Sequence, residues 1–301
     1  MLEQLLTYLS AHHAVHAKKI AANHAAAPAM RDDLARFLNT YAPFMRHEGI
    51  GYERLADAYL RMVEQMLASR IDFVRSGKYA TELPEHANEQ VYGDTGVMTD
   101  YMLGLALSQF LWKHHHHVFT FYRRHVQDLR RPEYALEVGS GHGLLLLELL
   151  TAQPGLRAVE VVDISETSLR LTASLLDVVA PDAATKVRLI KADVVIHKSL
   201  GHAYDFITIG EVLEHVANPG QVLSSLRNQL APGGMMFMST CANCPTIDHV
   251  YHFETVDEIR LMIADAGLVI RDEVVAPSED VSDEDLRRHR LDVIYAAVLS
   301  R

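Results

Sequence analysis

Two stretches of this 301-residue chain concentrate side chains that handle protons or metals. "LWKHHHHVFTFY", residues 111–122, sets four histidines in an aromatic and apolar run, and "CANCPTIDHVYHF", residues 241–253, joins two cysteines to His249 and His252. Neutral imidazole is the natural proton acceptor for a hydroxyl or an acidic carbon near physiological pH. The order Cys-x2-Cys-x4-His-x2-His contains ligand types that zinc accepts, but the spacer between the pairs is far shorter than the ~12 residues of familiar zinc modules. No metal is therefore expected. On a helix, four consecutive side chains point in directions about 100° apart. Helical spacing puts His114 and His117 with Leu103, Leu107, Phe110 and Phe121, and His115 on the adjoining face with Tyr101 and Trp112. His116 falls with Lys113 and Arg123, which predicts that it meets water. The candidate catalytic histidines are thus His117, His114, His252 and His249.

A second motif binds rather than reacts. "LEVGSGHG", Leu136 to Gly143, leaves a β-rich run and enters the apolar helix "LLLLELL". Its glycines permit a tight turn and let backbone N–H groups approach a ligand at a helix N-terminus. Asp163, which ends the next β-rich run, can accept both hydroxyls of a ribose diol. Glu137, just before the glycines, would repel a pyrophosphate, and the spacing is not that of a dinucleotide turn, so a cationic ligand is favoured.

The elements that must hold these residues fall into two halves. Up to about residue 128 the periodicity predicts helices over Leu2–Ala26, Asp32–Tyr41, Tyr52–Ser76, a broken piece at Pro84–Tyr92, and Met98–Val126, with Gly and Pro punctuation between them. From residue 134 the pattern becomes "ALEVG", "AVEVVD", "VRLIKAD", "YDFITIG", "MMFMST", "LVIRDEVV" and "LDVIYAAVL", with helices between the first five. Seven such strands predict an α/β fold, a mostly parallel, doubly wound Rossmann-like sheet ending in an antiparallel pair, behind an all-helical cap. The expected domains are 1–128, a cap for substrate or dimer contacts, and 129–301.

Composition narrows the partners. The net charge is -11, and the residues beyond Arg130 carry 14 basic against 25 acidic groups, which lacks the footprint that nucleic-acid binding demands. No apolar run approaches the ~20 residues that span a bilayer, and no N-terminal signal pattern appears, so a cytoplasmic protein with no membrane partner is expected.

With these residues in order, 134–301 resembles the class I S-adenosylmethionine (SAM) dependent methyltransferases. "LEVGSGHG" is similar to their glycine motif, "VVDIS" to their ribose-binding strand end, "KAD" to their adenine-binding turn, and "YDFITIGEVLEHVANPGQVLSSLRNQLAPGGMMFMST" to their fourth and fifth strands. The resemblance implies SAM as cofactor. Its aminoacyl and sulfonium end would lie over Glu137, Gly139, Ser140, Gly141 and Gly143, the ribose on Asp163, and the adenine between Ile164 and Val194 with Asp193 on its amino group. Glu211 and Val212 would border the methyl group, with His215 of "EVLEH" read as fold support. The leading expectation is in-line methyl transfer to a small molecule of specialised metabolism, with a histidine base and the helical half as lid. Two other readings stand beside it: an enzyme for which SAM is the sole substrate, releasing methylthioadenosine as in azetidine-2-carboxylate formation, and a SAM-binding scaffold that dimerises through its N-terminal helices.

Overall fold

Apolar residues at helical spacing dominate the first half, and six helices form there among the described residues: α1 Leu2–His12, α2 Ala14–Ala26, α3 Pro28–His47, α4 Tyr52–Ser76, α5 Thr95–Leu111 and α6 Lys113–Asp128. The computed structural model describes residues 1–80, 94–195, 197 and 201–301, so the helical piece expected at 84–92 lies outside it. Helix ends follow their chemistry. Pro28 opens α3, Asp94 Oδ1 caps α5 by accepting from the N–H groups of Gly96 (2.8 Å) and Val97 (2.9 Å), and Gly77 closes α4 at φ 75°. α3 runs past its expected end at Tyr41 and through Pro43, because Phe44 and Met45 are buried in the cap core and hold the last turn.

Two long helices expected from the sequence are each broken at a residue that is neither Gly nor Pro. His13 separates α1 from α2, its Nδ1 accepting from the His16 N–H at 3.2 Å. Trp112 separates α5 from α6 in an extended conformation (φ -107°, ψ 127°), where its indole N–H donates to the Tyr59 hydroxyl at 2.6 Å. The break resets the helical phase. His116, expected in water, is instead buried, with Nε2 2.8 Å from Asp33, while His117, expected inward, is exposed.

The second half alternates as its β-branched runs predict. In order it forms β1 Tyr134–Val138, α7 Leu144–Ala152, β2 Ala158–Asp163, α8 Glu166–Val179, α9 Pro181–Ala184, β3 Val187–Lys191, β4 Tyr204–Gly210, α10 Pro219–Gln229, β5 Leu230–Ala242, α11 Val256–Asp265, β6 Val269–Pro277, α12 Asp283–His289 and β7 Val293–Ser300. The seven strands make one sheet in the order β3-β2-β1-β4-β5-β7-β6, parallel from β3 through β5, with β7 antiparallel to both neighbours. This is the expected Rossmann-like sheet with a helical cap. Two connections differ from expectation. No helix joins β3 to β4 among the described residues, and α12 does stand between β6 and β7, capped by Ser282 Oγ on the Asp285 N–H at 3.1 Å. Strand order reverses between β1 and β4, which opens a crevice beyond their C-terminal ends.

The cap and the sheet share their cores. α6 lays Val118, Phe121, Tyr122 and Val126 against Phe206 and Phe237 of the sheet, and Leu171 and Leu175 of α8 join Tyr41 and Phe44 in the cap cluster. Burial of each such large side chain stabilises by about 1.5–3 kcal/mol. A polar clamp fixes the join. Asp33 of α3 is 3% exposed and accepts from His116 Nε2 (2.8 Å), Arg123 (3.0 Å) and Arg36, while Arg123 also pairs with Glu148 of α7 at 3.4 Å. Burial pushes the Asp33 carboxyl up, but the hydrogen bonds from His116, Arg36 and Arg123 hold it well below its ordinary value. No helix among the described residues is long and apolar enough to cross a membrane.

Removing this carboxylate strands a buried imidazole and a partly buried guanidinium. Asp33→Ala is expected to lower stability by about 3–5 kcal/mol, whereas Arg36→Ala, whose side chain is 70% exposed, should cost less than about 1 kcal/mol. Urea unfolding midpoints of the two variants test the contrast.

Candidate active site

The turn from β1 to α7 forms the floor of the site. Gly139, Gly141 and Gly143 take φ values of 75°, 48° and 72°, the left-handed region that a side chain resists. At Gly139 space forbids a side chain as well, since a Cβ would lie 2.6 Å from Val212 Cγ2. Asp163, at the end of β2, closes the turn from behind: Oδ2 accepts from the Ser140 N–H (2.8 Å) and Oγ (3.0 Å), and Oδ1 from the Ser165 N–H (2.7 Å). Three of about four acceptor positions of the carboxylate are used and the Gly141 N–H also approaches it, so the two hydroxyls of a ribose diol expected there do not both find a free position.

Glu137 supplies the unmet demand. It is 2% exposed, and its Oε2 has no hydrogen-bond partner among the described residues. Burial, aided by the charge of Asp163, pushes its carboxyl well above the ordinary value. A buried acid beside a second acid is stabilised by a cationic group, which the ammonium of SAM would provide. The donor set and the glycine turn therefore fit that cofactor. Of the residues assigned to it from sequence, Glu137, Gly139, Ser140, Gly141, Asp163, Ile164, Asp193, Val194, Glu211 and Val212 all line one cavity of about 590 Å³. Gly143 does not, and instead forms the left-handed N-cap of α7. Asp193 is exposed and already accepts from the Val195 N–H at 2.8 Å through one oxygen.

Beyond the floor the cavity has an apolar wall and an ionisable corner. Met98, Met102, Leu105 and Phe119 of the cap form the wall, with Gln109 and His115 as polar points. The corner follows β4 and β5. Glu211 sits at φ 50°, a conformation that costs a non-glycine residue about 1–3 kcal/mol; its N–H is held by Ser239 O (3.0 Å) and Oγ (3.2 Å). Glu214 is 1% exposed and takes a hydrogen bond from Thr240 Oγ1 at 2.6 Å through Oε2. Burial raises both carboxyls, Glu214 well above the ordinary range, where the neighbouring Glu211 charge adds to the effect.

Asp248 organises the histidines of this corner. It is fully buried, and Oδ1 accepts from Thr246 Oγ1 (2.7 Å) and the Tyr101 hydroxyl (3.3 Å). His215 Nδ1 lies 3.0 Å from the Asp248 carbonyl and 3.5 Å from Oδ2, and the His249 ring packs edge-on against His215 at 4.7 Å. Burial pushes Asp248 up, but the charges of His215 and His249 outweigh it, and its carboxyl ends below the ordinary value. His249 Nδ1 faces the Cys244 carbonyl at 2.6 Å, and burial lowers its ring to about 3, so it stays neutral at physiological pH.

Of the four candidate catalytic histidines only His249 reaches the cavity. His114 stacks on Trp112 with centroids 5.5 Å apart, His117 points to solvent, and His252 bonds Asn243 Oδ1 at 3.0 Å between Phe73 and Tyr79. The common inward face expected for His114 and His117 does not form, and neither lines the cavity. His115, His142 and His215 line the cavity in their place, together with Asp248 and Tyr101. The sequence signal for His215 lay in "EVLEH", read there as fold support; that for Asp248 was its place directly before His249.

The expectation of no metal rested on spacing along the chain. In space, Glu214, His215 and His249 bring one ligand atom each within 4.8 Å of one another, as do Cys241, Cys244 and His249, and Glu211, Glu214 and Cys241. Each set brings together ligand types that a divalent cation accepts.

Comparison with known proteins agrees with this geometry. Residues 136–236 match the family described as a methyltransferase domain. The ubiquinone biosynthesis O-methyltransferase of Neisseria meningitidis serogroup C (strain 053442) is 29% identical over 152 residues, covering 50% of this chain and 60% of that protein. The protein of the same name from Parvibaculum lavamentivorans is 28% identical over 200 residues, covering 59% and 74%. The chain thus spans less than two thirds of the Neisseria relative's length. Among solved structures, an O-methyltransferase family protein from Burkholderia thailandensis aligns with a TM-score of 0.54 at 15% identity over 81% of this chain and 71% of that one. Mitomycin 7-O-methyltransferase gives 0.54 at 14% identity over 83% and 70%. At such identities the likeness is one of fold, and its extent takes in part of the helical half as well as the sheet.

The raised Glu137 carboxyl has a thermodynamic signature. Binding of S-adenosylhomocysteine (SAH), which keeps the ammonium, is expected to lower the raised Glu137 carboxyl and so to release protons rather than take them up. Glu137→Gln should abolish that release and weaken binding by about tenfold or more. Calorimetry in buffers of different ionisation enthalpy measures both.

Proposed function

We propose that this chain, of which residues 136–236 match a methyltransferase domain, is a class I SAM-dependent methyltransferase that uses SAM as its cofactor and methylates a hydroxyl oxygen of a small, largely apolar molecule. One observation carries the reading: a single cavity runs from the glycine turn to the cap wall and has His215, oriented by Asp248, on its boundary. Its volume of about 590 Å³ lies in the ~300–1,000 Å³ range of small-molecule sites. The O-methyltransferase names of the curated relatives support oxygen as the acceptor atom.

When bound, SAM supplies a methyl group made electrophilic by its sulfonium. The protein's own part is positioning and proton handling. Glu137 holds the cofactor's cationic end, Asp163 holds the glycine turn that cradles it, and the φ of Gly139 brings the backbone against it. The cap wall of methionine and aromatic side chains excludes water and fixes the acceptor for in-line attack, where most of the catalysis of such a displacement lies. His215 takes the hydroxyl proton. Asp248, kept anionic by its surroundings, holds Nδ1 of that ring and stabilises its charge once it is protonated.

Incubation of the protein with SAM and a mixture of phenols and catechols, followed by mass spectrometry of the adenosyl products, tests the assignment. SAH accumulating only when a hydroxylated acceptor is present is the expected result. Methylthioadenosine formed from SAM alone would overturn it and make SAM the substrate. For an accepted phenol, His215→Ala should lower kcat by about 10²–10⁴ and leave SAH affinity within about threefold; an equal loss in both would make His215 a structural residue.

A further inference from the structure

The cap wall carries a polar point whose chemistry the methyl transfer does not use. Around it Met98, Met102, Leu105 and Phe119 present only apolar surface. The Tyr101 hydroxyl is committed to Asp248 at 3.3 Å, and the Gln109 amide to the Leu105 carbonyl (3.4 Å) and to His115 Nδ1 (3.2 Å). Ser108 Oγ lies 2.9 Å from His115 Nδ1 and 2.8 Å from the Leu105 carbonyl, and its single proton serves one of the two, so the Gln109 amide, which can only donate, decides the tautomer. An amide N–H aimed at Nδ1 needs a lone pair there, so the ring proton sits on Nε2. Among the described residues no group accepts that proton, and His115 lines the cavity. Burial holds its ring well below the ordinary value, with the His114 charge adding to the effect, so it is a neutral donor. Trp112 packs edge-on against it at 4.7 Å, beside the break between α5 and α6, and fixes the ring plane.

We propose that His115 Nε2–H is the specificity-determining donor of the cap, and that the acceptor carries a neutral oxygen acceptor, a ketone or quinone carbonyl, in addition to the hydroxyl to be methylated. Charge supports a neutral partner. No lysine or arginine lines the cavity among the described residues, so a carboxylate or phosphate would enter with no counter-charge. A carbonyl, by contrast, meets a preformed donor in a dry apolar wall, where an unmet donor is costly. The proposal rests on the methyl-transfer reading of the same cavity.

A matched pair of probes separates the two. 4-Hydroxyacetophenone and 4-ethylphenol have the same size and hydroxyl and differ in the carbonyl. Titrated into SAH-loaded protein, the ketone is expected to bind about five- to tenfold tighter, the difference that one neutral hydrogen bond supplies. His115→Leu should erase the preference while leaving SAH affinity intact, and His115→Gln, which still offers an N–H, should keep part of it. Equal affinities in the wild type, a preference that survives His115→Leu, or binding of neither phenol would overturn the proposal. Methylation of both phenols at equal rates would do the same and leave the methyltransferase reading standing, whereas failure to bind SAH would bring down that reading itself. Nitrogen-15 NMR of histidine-labelled protein checks the tautomer directly: a proton on Nδ1 of His115 would also overturn it.

Discussion

Asp163 accepts three hydrogen bonds from the glycine turn and from the start of α8, and the floor of the cavity takes its shape from them. The turn has no regular structure of its own. Its backbone is kept in left-handed conformations by the carboxylate behind it and by the Gly139 N–H on the Val162 carbonyl at 2.8 Å. The same carboxylate sits close enough to Glu137 to raise its proton affinity. One acid thus builds the floor and leaves its neighbour demanding a cation. Structure and ligand preference follow from a single pair of buried carboxyls.

The cap cannot be treated as a lid laid over a finished domain. The Tyr41 hydroxyl of α3 donates to the His142 carbonyl inside the glycine turn, and Met102 of α5 stands 3.6 Å from where a Cβ on Gly141 would lie. α6 lies on the sheet itself, and Asp33 ties α3 to α6, from which Arg123 reaches Glu148 of α7. Farther round, Arg70 of α4 donates to the carbonyls of Asn243 and His289. The surfaces that position the cofactor and those that choose the acceptor are therefore one packed body. A change in the cap core is felt at the glycine turn through direct contact.

The sheet was legible because its strands are short β-branched runs with glycine or acidic residues at their ends, and burial forces such runs into one register. The cofactor residues were legible for a related reason: glycine and carboxylate positions at strand ends are fixed by the backbone, not by distant packing. The histidines were not. Their directions depend on Trp112, whose extended conformation is imposed by Tyr59 and the surrounding aromatic core, and nothing in "FLWKHH" marks a helix break. Reading one continuous helix through it exchanged His116 with His117 and set His115 on an adjoining face, outside the catalytic candidates, although it lines the cavity. The missed α12 is different, since "SDED" carries a local capping signal that the charge-rich segment obscured.

The ionisable corner shows why one loop can serve two sites at once. The Glu214 carbonyl accepts the N–H groups of Val250 (2.8 Å) and Tyr251 (2.9 Å), so the loop after β5 hangs from the turn after β4. Asp248, His249 and Thr246 are placed by that anchor, and His215 lies one residue from it. A side chain at 214 must then satisfy two demands: its backbone holds the loop, and its carboxylate lies against Glu211 in a site too dry for both to be charged. Any cation or proton that settles there neutralises the pair and leaves the loop geometry unchanged. The charge state of the corner can vary with its ligand while the His215–Asp248 pair keeps its orientation, because backbone hydrogen bonds and not the acids' charges set it.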